Sequence, residues 1–260
     1  MKIGLIGTGA IGHYVQAALL DSGLPVSLCL VRPARLAEDA VDGMQRVADV
    51  RDLPDDMDLM IDCAGHGALT EHGAAILARG VDLITLSLGA LADAELHAAL
   101  ARAASDSGAQ LHLASGAIGA LDCLAAAQVG GLTSVTYTGR KPPLGWAGSP
   151  AEAQFDLQNL TEAQVHFEGS ARQAATRYPK NANVAAAVAL AGIGFDDTKA
   201  RLIADPAAQA NIHEVTASGA FGQFTFRIEG RALPDNPRSS ALAAMSAVAA
   251  VQRRCAAITI

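Results

Sequence analysis

Of seven histidines in the chain, the one with most chemistry open to it is His213, in "ANIHEV", entering a strand-like run after the loop "ADPAAQ". Imidazole titrates near neutrality, so His213 can take up a proton and return it within a reaction. An imidazole entering a sheet is also often no more than a hydrogen-bonded core group. Another chemistry is written at the amino end, where Gly7, Gly9 and Gly12 of "IGLIGTGAIG" form GxGxxG between a strand and a helix. Gly7 suits a tight turn, Gly9 lets backbone approach a pyrophosphate, and Gly12 allows close packing. Backbone amides at the helix start, from Gly9 through Ala10, Ile11 and Gly12, are then free to meet phosphate. The spacing alone also arises where packing wants glycine, but its place on a first βα turn points to dinucleotide binding.

At the end of the second strand a carboxylate commonly holds the ribose of NAD. Here "CLVRPAR" presents Arg32 and Arg35, with no carboxylate before Glu38. Arg32 is therefore a candidate for a 2′-phosphate, which leans toward use of both NAD and NADP; otherwise it is a solvated loop arginine. A second glycine-flanked element, "ASGAIGALDCL", places Ala117 at the opening of another helix, where amides can meet a ligand or the glycines merely turn the chain. His66, in "DCAGHGA", follows a strand end, the rim at which such sheets bind ligands. Groups that could hold substrate carboxylates are Arg172, Lys180 and His66, with Lys141 after them; each can equally be a solvated surface group. Asn181 and Asn183 precede the apolar run "VAAAVALAG", where an amide caps a helix or bonds a carboxamide.

These residues need elements to position them. From residue 2 to about 115, apolar runs such as "KIGLI", "LMIDCAG" and "VDLITLS" alternate with helical patterns such as "ALTEHGAAILARG". That rhythm predicts βαβ units and a Rossmann-type, doubly wound parallel sheet, an α/β dinucleotide-binding domain over residues 1–115. Beyond it, "TSVTYTGRK", "AQVHFEG", "KARLIAD", "HEVTAS" and "GQFTFRIEG" alternate as strands of a mixed or antiparallel sheet do. They predict a second, α+β domain over residues 116–236. Residues 237–260 read as a serine-capped helix and a last strand, "AAITI", packing back on the first domain.

The formal net charge of -7 argues against a nucleic-acid surface, which needs a basic patch. The four cysteines show neither CxxC nor zinc spacing and read as buried reduced thiols, with no metal expected. The amino end enters a strand without a signal peptide, and "NVAAAVALAGIGF" is too short to cross a bilayer, so a cytoplasmic protein without membrane partners is expected.

Taken in order, "GTGAIG", "DCAGH", "SGAIGALD", "YTGRKPP", "FEGSAR", "YPKNANVAAAVALAG", "RLIADP" and "NIHEV…SGAFG" resemble the L-aspartate dehydrogenase family over nearly the whole chain. The resemblance implies oxidation of L-aspartate with NAD or NADP to iminoaspartate, which hydrolyses to oxaloacetate and ammonia and can feed NAD biosynthesis. It implies that His213 is the active-site residue, that Ala117 and Asn183 contact the nicotinamide coenzyme, and that the protein is a homodimer. On the glycine turn alone, a dihydrodipicolinate- or homoserine-type enzyme of the same two-domain plan also stands, as does a nucleotide-sensing regulator, although no DNA-binding module is visible.

Overall fold

A computed structural model of the chain describes residues 1–37, 43–234 and 236–259, the side chains of Lys180, Pro237 and Arg238 excepted. The chain divides into two compact units, Met1–Ala114 with Ala243–Ile260, and Ser115–Leu242. In the first, the apolar runs are parallel strands: β1 (Ile3–Ile6), β2 (Val26–Leu30), β3 (Gln45–Val47), β4 (Leu59–Asp62), β5 (Asp82–Thr85) and β6 (Leu111–Leu113), ordered β3-β2-β1-β4-β5-β6. Every residue of β1, β4 and β5 is buried, because helices cover both faces of such a sheet; that is why these strands read as unbroken apolar runs. The helices are α1 (Ala10–Asp21), α2 (His66–Ala78) and α3 (Ala94–Ser107). Strand order reverses at β1, so the carboxyl ends of β1 and β4 form the switch point where sheets of this kind bind ligands.

The second unit contains α4 (Leu121–Gly130), β7 (Leu132–Lys141), β8 (Gln164–Ser170), α5 (Ala171–Arg177), α6 (Asn183–Ala191), β9 (Lys199–Ala204), β10 (Asn211–Gly219) and β11 (Gly222–Gly230). Its sheet runs β11-β10-β7-β9-β8, with β7 and β9 parallel and the other pairs antiparallel. Helix α6 is buried continuously from Val184 to Ala189; its alanines keep it slim enough to be enclosed on all sides, as an all-apolar helix must be. A short hairpin of β12 (Ala232–Leu233) and β13 (Asn236–Ser240) leads into α7 (Ala241–Cys255). Ala247, Val248 and Val251 of α7 belong to the core of the first unit, together with Ile3, Leu5 and Val15.

Two expectations need correction. The run "AAITI" is not a strand through residue 259, and Ile258 is 90% exposed; β-branched residues form a strand only against a partner, and this run pairs with none among the described residues. Ile260 lies outside them. Of the four free cysteines, Cys29 is buried and Cys63 half-buried, but Cys123 and Cys255 are exposed. Cys123 falls off the Leu124–Ala127 stripe that α4 buries, and Cys255 ends α7. Among the described residues no helix is long and apolar enough to cross a membrane, and no three His, Cys, Asp or Glu side chains gather as a metal site.

Candidate active site

In the first unit the three glycines of the amino-terminal turn divide by cause. Gly7 has φ +86°, and a Cβ there would come within 2.8 Å of the Ala64 Cβ, so neither the turn nor the space admits a side chain. A Cβ on Gly12 would lie 2.4 Å from the Gly7 carbonyl oxygen. One on Gly9 would meet nothing within 4 Å. The protein itself demands Gly7 and Gly12, whereas the bare backbone at Gly9 matters only to something approaching from outside. Gly9 is also the N-cap of α1 and supplies no side-chain cap, so the amides of Ala10, Ile11 and Gly12 have no intrahelical acceptors. This cradle fits a dinucleotide's pyrophosphate.

Beside it lies a cavity of about 510 Å³, lined in part by Thr8, Arg32, Arg35, Cys63, Glu71 and His72. Arg32 is exposed at its edge, and Arg35 donates from Nη1 to Thr8 Oγ1 at 3.2 Å, tying the second arginine to the glycine turn. Asp62, fully buried at the end of β4, directly precedes Cys63 and Ala64 of the lining. Its carboxylate accepts from the amides of Ala64 and Gly65 at 3.0 and 3.2 Å, and from Thr85 Oγ1 and Ser87 Oγ at 2.8 and 2.6 Å. Four donors satisfy a charge that could not otherwise be buried.

In the second unit His213 is the third residue of β10 and sits on the sheet face that also buries Val215 and Ala217. It pairs across the ladder with Gly139 of β7, while Tyr137 pairs with Val215, so Tyr137 and His213 share that face. Tyr137 OH and His213 Nδ1 are 2.9 Å apart, both side chains buried. The contact depends on Gly139: a Cβ there would lie 2.6 Å from the Tyr137 hydroxyl. Alternation makes Lys141 the next residue of β7 on this face. Its Nζ donates to Asn181 Oδ1 at 2.5 Å and lies 5.0 Å from the centroid of the Trp146 ring. Burial pulls the Lys141 ammonium from 10.5 down to about 8. Burial, then the charge of Lys141, pulls His213 from 6.5 down to about 4, so its imidazole is neutral at physiological pH. His166 on β8 forms a parallel arrangement: Nδ1 is 3.1 Å from Tyr178 OH, and Nε2 is buried with no hydrogen-bond partner.

A family model described as "Aspartate dehydrogenase, C-terminal" matches residues 122–254, and one described as "Homoserine dehydrogenase, NAD binding domain" matches residues 7–114. The L-aspartate dehydrogenase of Ruegeria pomeroyi is 56% identical over 99% of this chain and 94% of its own length. That of Cupriavidus necator is 48% identical over the full length of both. The chain belongs to the L-aspartate dehydrogenase family. A crystal structure of aspartate dehydrogenase from Thermotoga maritima aligns over 100% of this chain and 99% of its own, with TM-score 0.77 and 28% identity. A homoserine dehydrogenase from Thiobacillus denitrificans, at 13% identity and TM-score 0.62, shares the fold. The nucleotide unit thus matches a model named for homoserine dehydrogenases, and most of the second unit one named for aspartate dehydrogenases.

Ala117 is buried and follows Gly116, which has φ +69°. Asn183 is exposed at the first position of α6, whose N-cap is Ala182 with no side-chain cap, so neither asparagine caps this helix; Asn181 instead receives Lys141. His66 is half-buried at the first turn of α2, after Gly65 at φ +94°. Arg172, on α5, has its guanidinium held by both oxygens of Asp196 at 2.7 and 2.9 Å; the cation exposed near the Lys141 cavity is Arg177. Lys180 has its backbone in a 3-10 turn over Pro179–Asn181, while its side chain lies outside the described residues. Sequence patterns do not single out Tyr137, Gly139 or Asp62. A glycine interrupting the alternation of "TYTGRK" was the available signal, since glycine inside a strand marks a close approach.

Proposed function

We propose that the protein oxidises L-aspartate with NAD or NADP to iminoaspartate, which water converts to oxaloacetate and ammonia. The observation that carries this reading is the buried Tyr137–His213 pair beside Lys141, within the region that matches the aspartate dehydrogenase family model. When bound, the nicotinamide accepts the hydride; the residues of the chain orient substrate and handle protons. A neutral His213 can take a proton from the substrate amine or from attacking water and return it. The Tyr137 contact sets its tautomer: with Nδ1–H donated to the phenol oxygen, Nε2 carries the lone pair, and with the phenol donating, Nε2 holds the proton. Burial keeps the phenol itself protonated.

We assign the coenzyme to Gly7, Gly9, Ala10, Ile11, Gly12 and Arg32, a reading supported by the phosphate cradle and its cavity, and to Ala117 and Asn183, a reading supported by the family resemblance. Arg32 and Arg35 suit a 2′-phosphate, while Glu71 in the same cavity suits ribose hydroxyls, which supports use of both coenzymes. The family resemblance also supports a cytoplasmic homodimer that supplies NAD biosynthesis, with sedimentation velocity as the check on the dimer.

The test is purified protein with L-aspartate and each coenzyme in turn, followed by nicotinamide absorbance. Turnover of aspartate is expected with both. His213→Ala is expected to bind coenzyme normally and to lose turnover by ~10²-fold or more, the scale of general acid–base catalysis. Turnover of homoserine without turnover of aspartate overturns the reading.

A further inference from the structure

The second unit holds a cavity of about 400 Å³ lined by two cations, Lys141 and Arg177, two amides, Asn181 and Asn211, and, among the described residues, no carboxylate. In a chain of net charge -7 that is an unusual stretch of lining. Neither cation is in an ion pair among the described residues: Lys141 bonds Asn181 and overlies Trp146, and Arg177 lies 6.0 Å from the Phe167 ring centroid. A half-buried ammonium in contact with one neutral amide and one ring face retains N–H donors and an unbalanced charge, an arrangement that favours an arriving anion. Asn211 and His213 are two apart on β10, and Tyr137, Gly139 and Lys141 succeed one another on the same face of β7. The cation in the cavity is thus one strand repeat from the imidazole.

We propose that Lys141 and Arg177 clamp the two carboxylates of a short amino-dicarboxylate, Lys141 holding the inner carboxylate beside His213 and Arg177 the outer one at the cavity mouth. This rests on the aspartate reading of the site and specifies its substrate ligands. Asn181 holds the ammonium in place, and Asn211 offers an amide donor from the imidazole's own strand. A carboxylate on Lys141 also cancels the positive charge that suppresses His213, so the imidazole becomes a better proton acceptor when substrate is seated. A monocarboxylic amino acid leaves Arg177 unmatched and binds worse, which makes this cation the one that discriminates by side chain.

The single tryptophan of the chain is Trp146, directly beneath Lys141, so its emission reports on this cavity without turnover. The full-length protein is titrated with succinate, and with butyrate as the monocarboxylate, in the absence and presence of coenzyme. Saturable succinate binding is expected in the wild type, weakened by ~10²-fold in Lys141→Met and largely restored in Lys141→Arg, the scale of a buried charge-assisted contact. Arg177→Met should bind succinate no better than butyrate. In steady state, Lys141→Met should raise the KM for aspartate while coenzyme affinity stays unchanged. Succinate binding by Lys141→Met within two-fold of wild type, with circular dichroism unchanged, overturns the proposal, as does loss of binding that Lys141→Arg does not restore. If succinate binding follows Lys141 but aspartate is not oxidised, the clamp stands and the reaction assignment falls. If aspartate is oxidised equally by wild type and Lys141→Met, the clamp falls alone.

Discussion

At the scale of single residues, the second unit keeps two imidazoles neutral by burial. His213 and His166 are each brought from 6.5 to about 4, burial being the larger cause and the Lys141 charge the smaller. The unfolded chain binds these protons at ordinary histidine values, so between pH 6.5 and 4 unfolding takes up protons that the folded state refuses. Stability is then fully present above about pH 6.5 and falls as pH drops toward 4, by roughly a few kcal/mol for the two groups together. Thermal melts across that window should show a steep acid decline, and His166→Gln should flatten it; a decline unchanged in that variant would assign it to other groups. His213 could be named from sequence because imidazole chemistry is visible in a single letter and the family motif surrounds it. Lys141 could not be ranked above other lysines, because "GRKPP" reads as a solvated basic strand end. Its burial is made by Trp146 in the following turn and by Asn181, forty positions on, contacts that no local pattern encodes.

At the scale of elements, the decisive join is the β7–β10 ladder, which fixes Tyr137, Gly139 and His213 by register rather than by sequence proximity. Gly139→Ala pushes a methyl into the Tyr137 hydroxyl, 2.6 Å from the added carbon. A cost of ~1–3 kcal/mol is expected from the overpacking, with turnover reduced as the Tyr137–His213 contact is broken and coenzyme affinity kept. Equal turnover in wild type and Gly139→Ala would show that the tyrosine contact does not position the imidazole. The strands were legible because their alternation, or its absence, follows which faces are covered. Their order and register were not, since pairing β7 with both β10 and β9 is settled by long-range packing. Helix α5 is illegible in the sequence for a similar reason: "ARQAATR" is short, and its signature is a capping box, Ser170 with Gln173, whose two hydrogen bonds are apparent only once the turn has formed.

At the scale of the whole molecule, the nucleotide unit is discontinuous in sequence. Val251 of α7 is fully buried in the same core as Leu5 and Val15 of the amino-terminal βα turn. Val251→Asp puts an unpaired charge there and should lower the melting temperature by several degrees or prevent folding, with coenzyme binding lost in step; a melt and coenzyme affinity like wild type would mean α7 is dispensable to that core. Val251→Ala is the milder form, expected to cost ~1–2 kcal/mol and to keep coenzyme binding. This return of the tail also governs the order of events during synthesis. The ribosome delivers residues 115–242, a complete unit, before it has made the last strip of the nucleotide unit's core. The core under the amino-terminal glycine turn is therefore complete only once α7 has been made, although the turn itself is translated first.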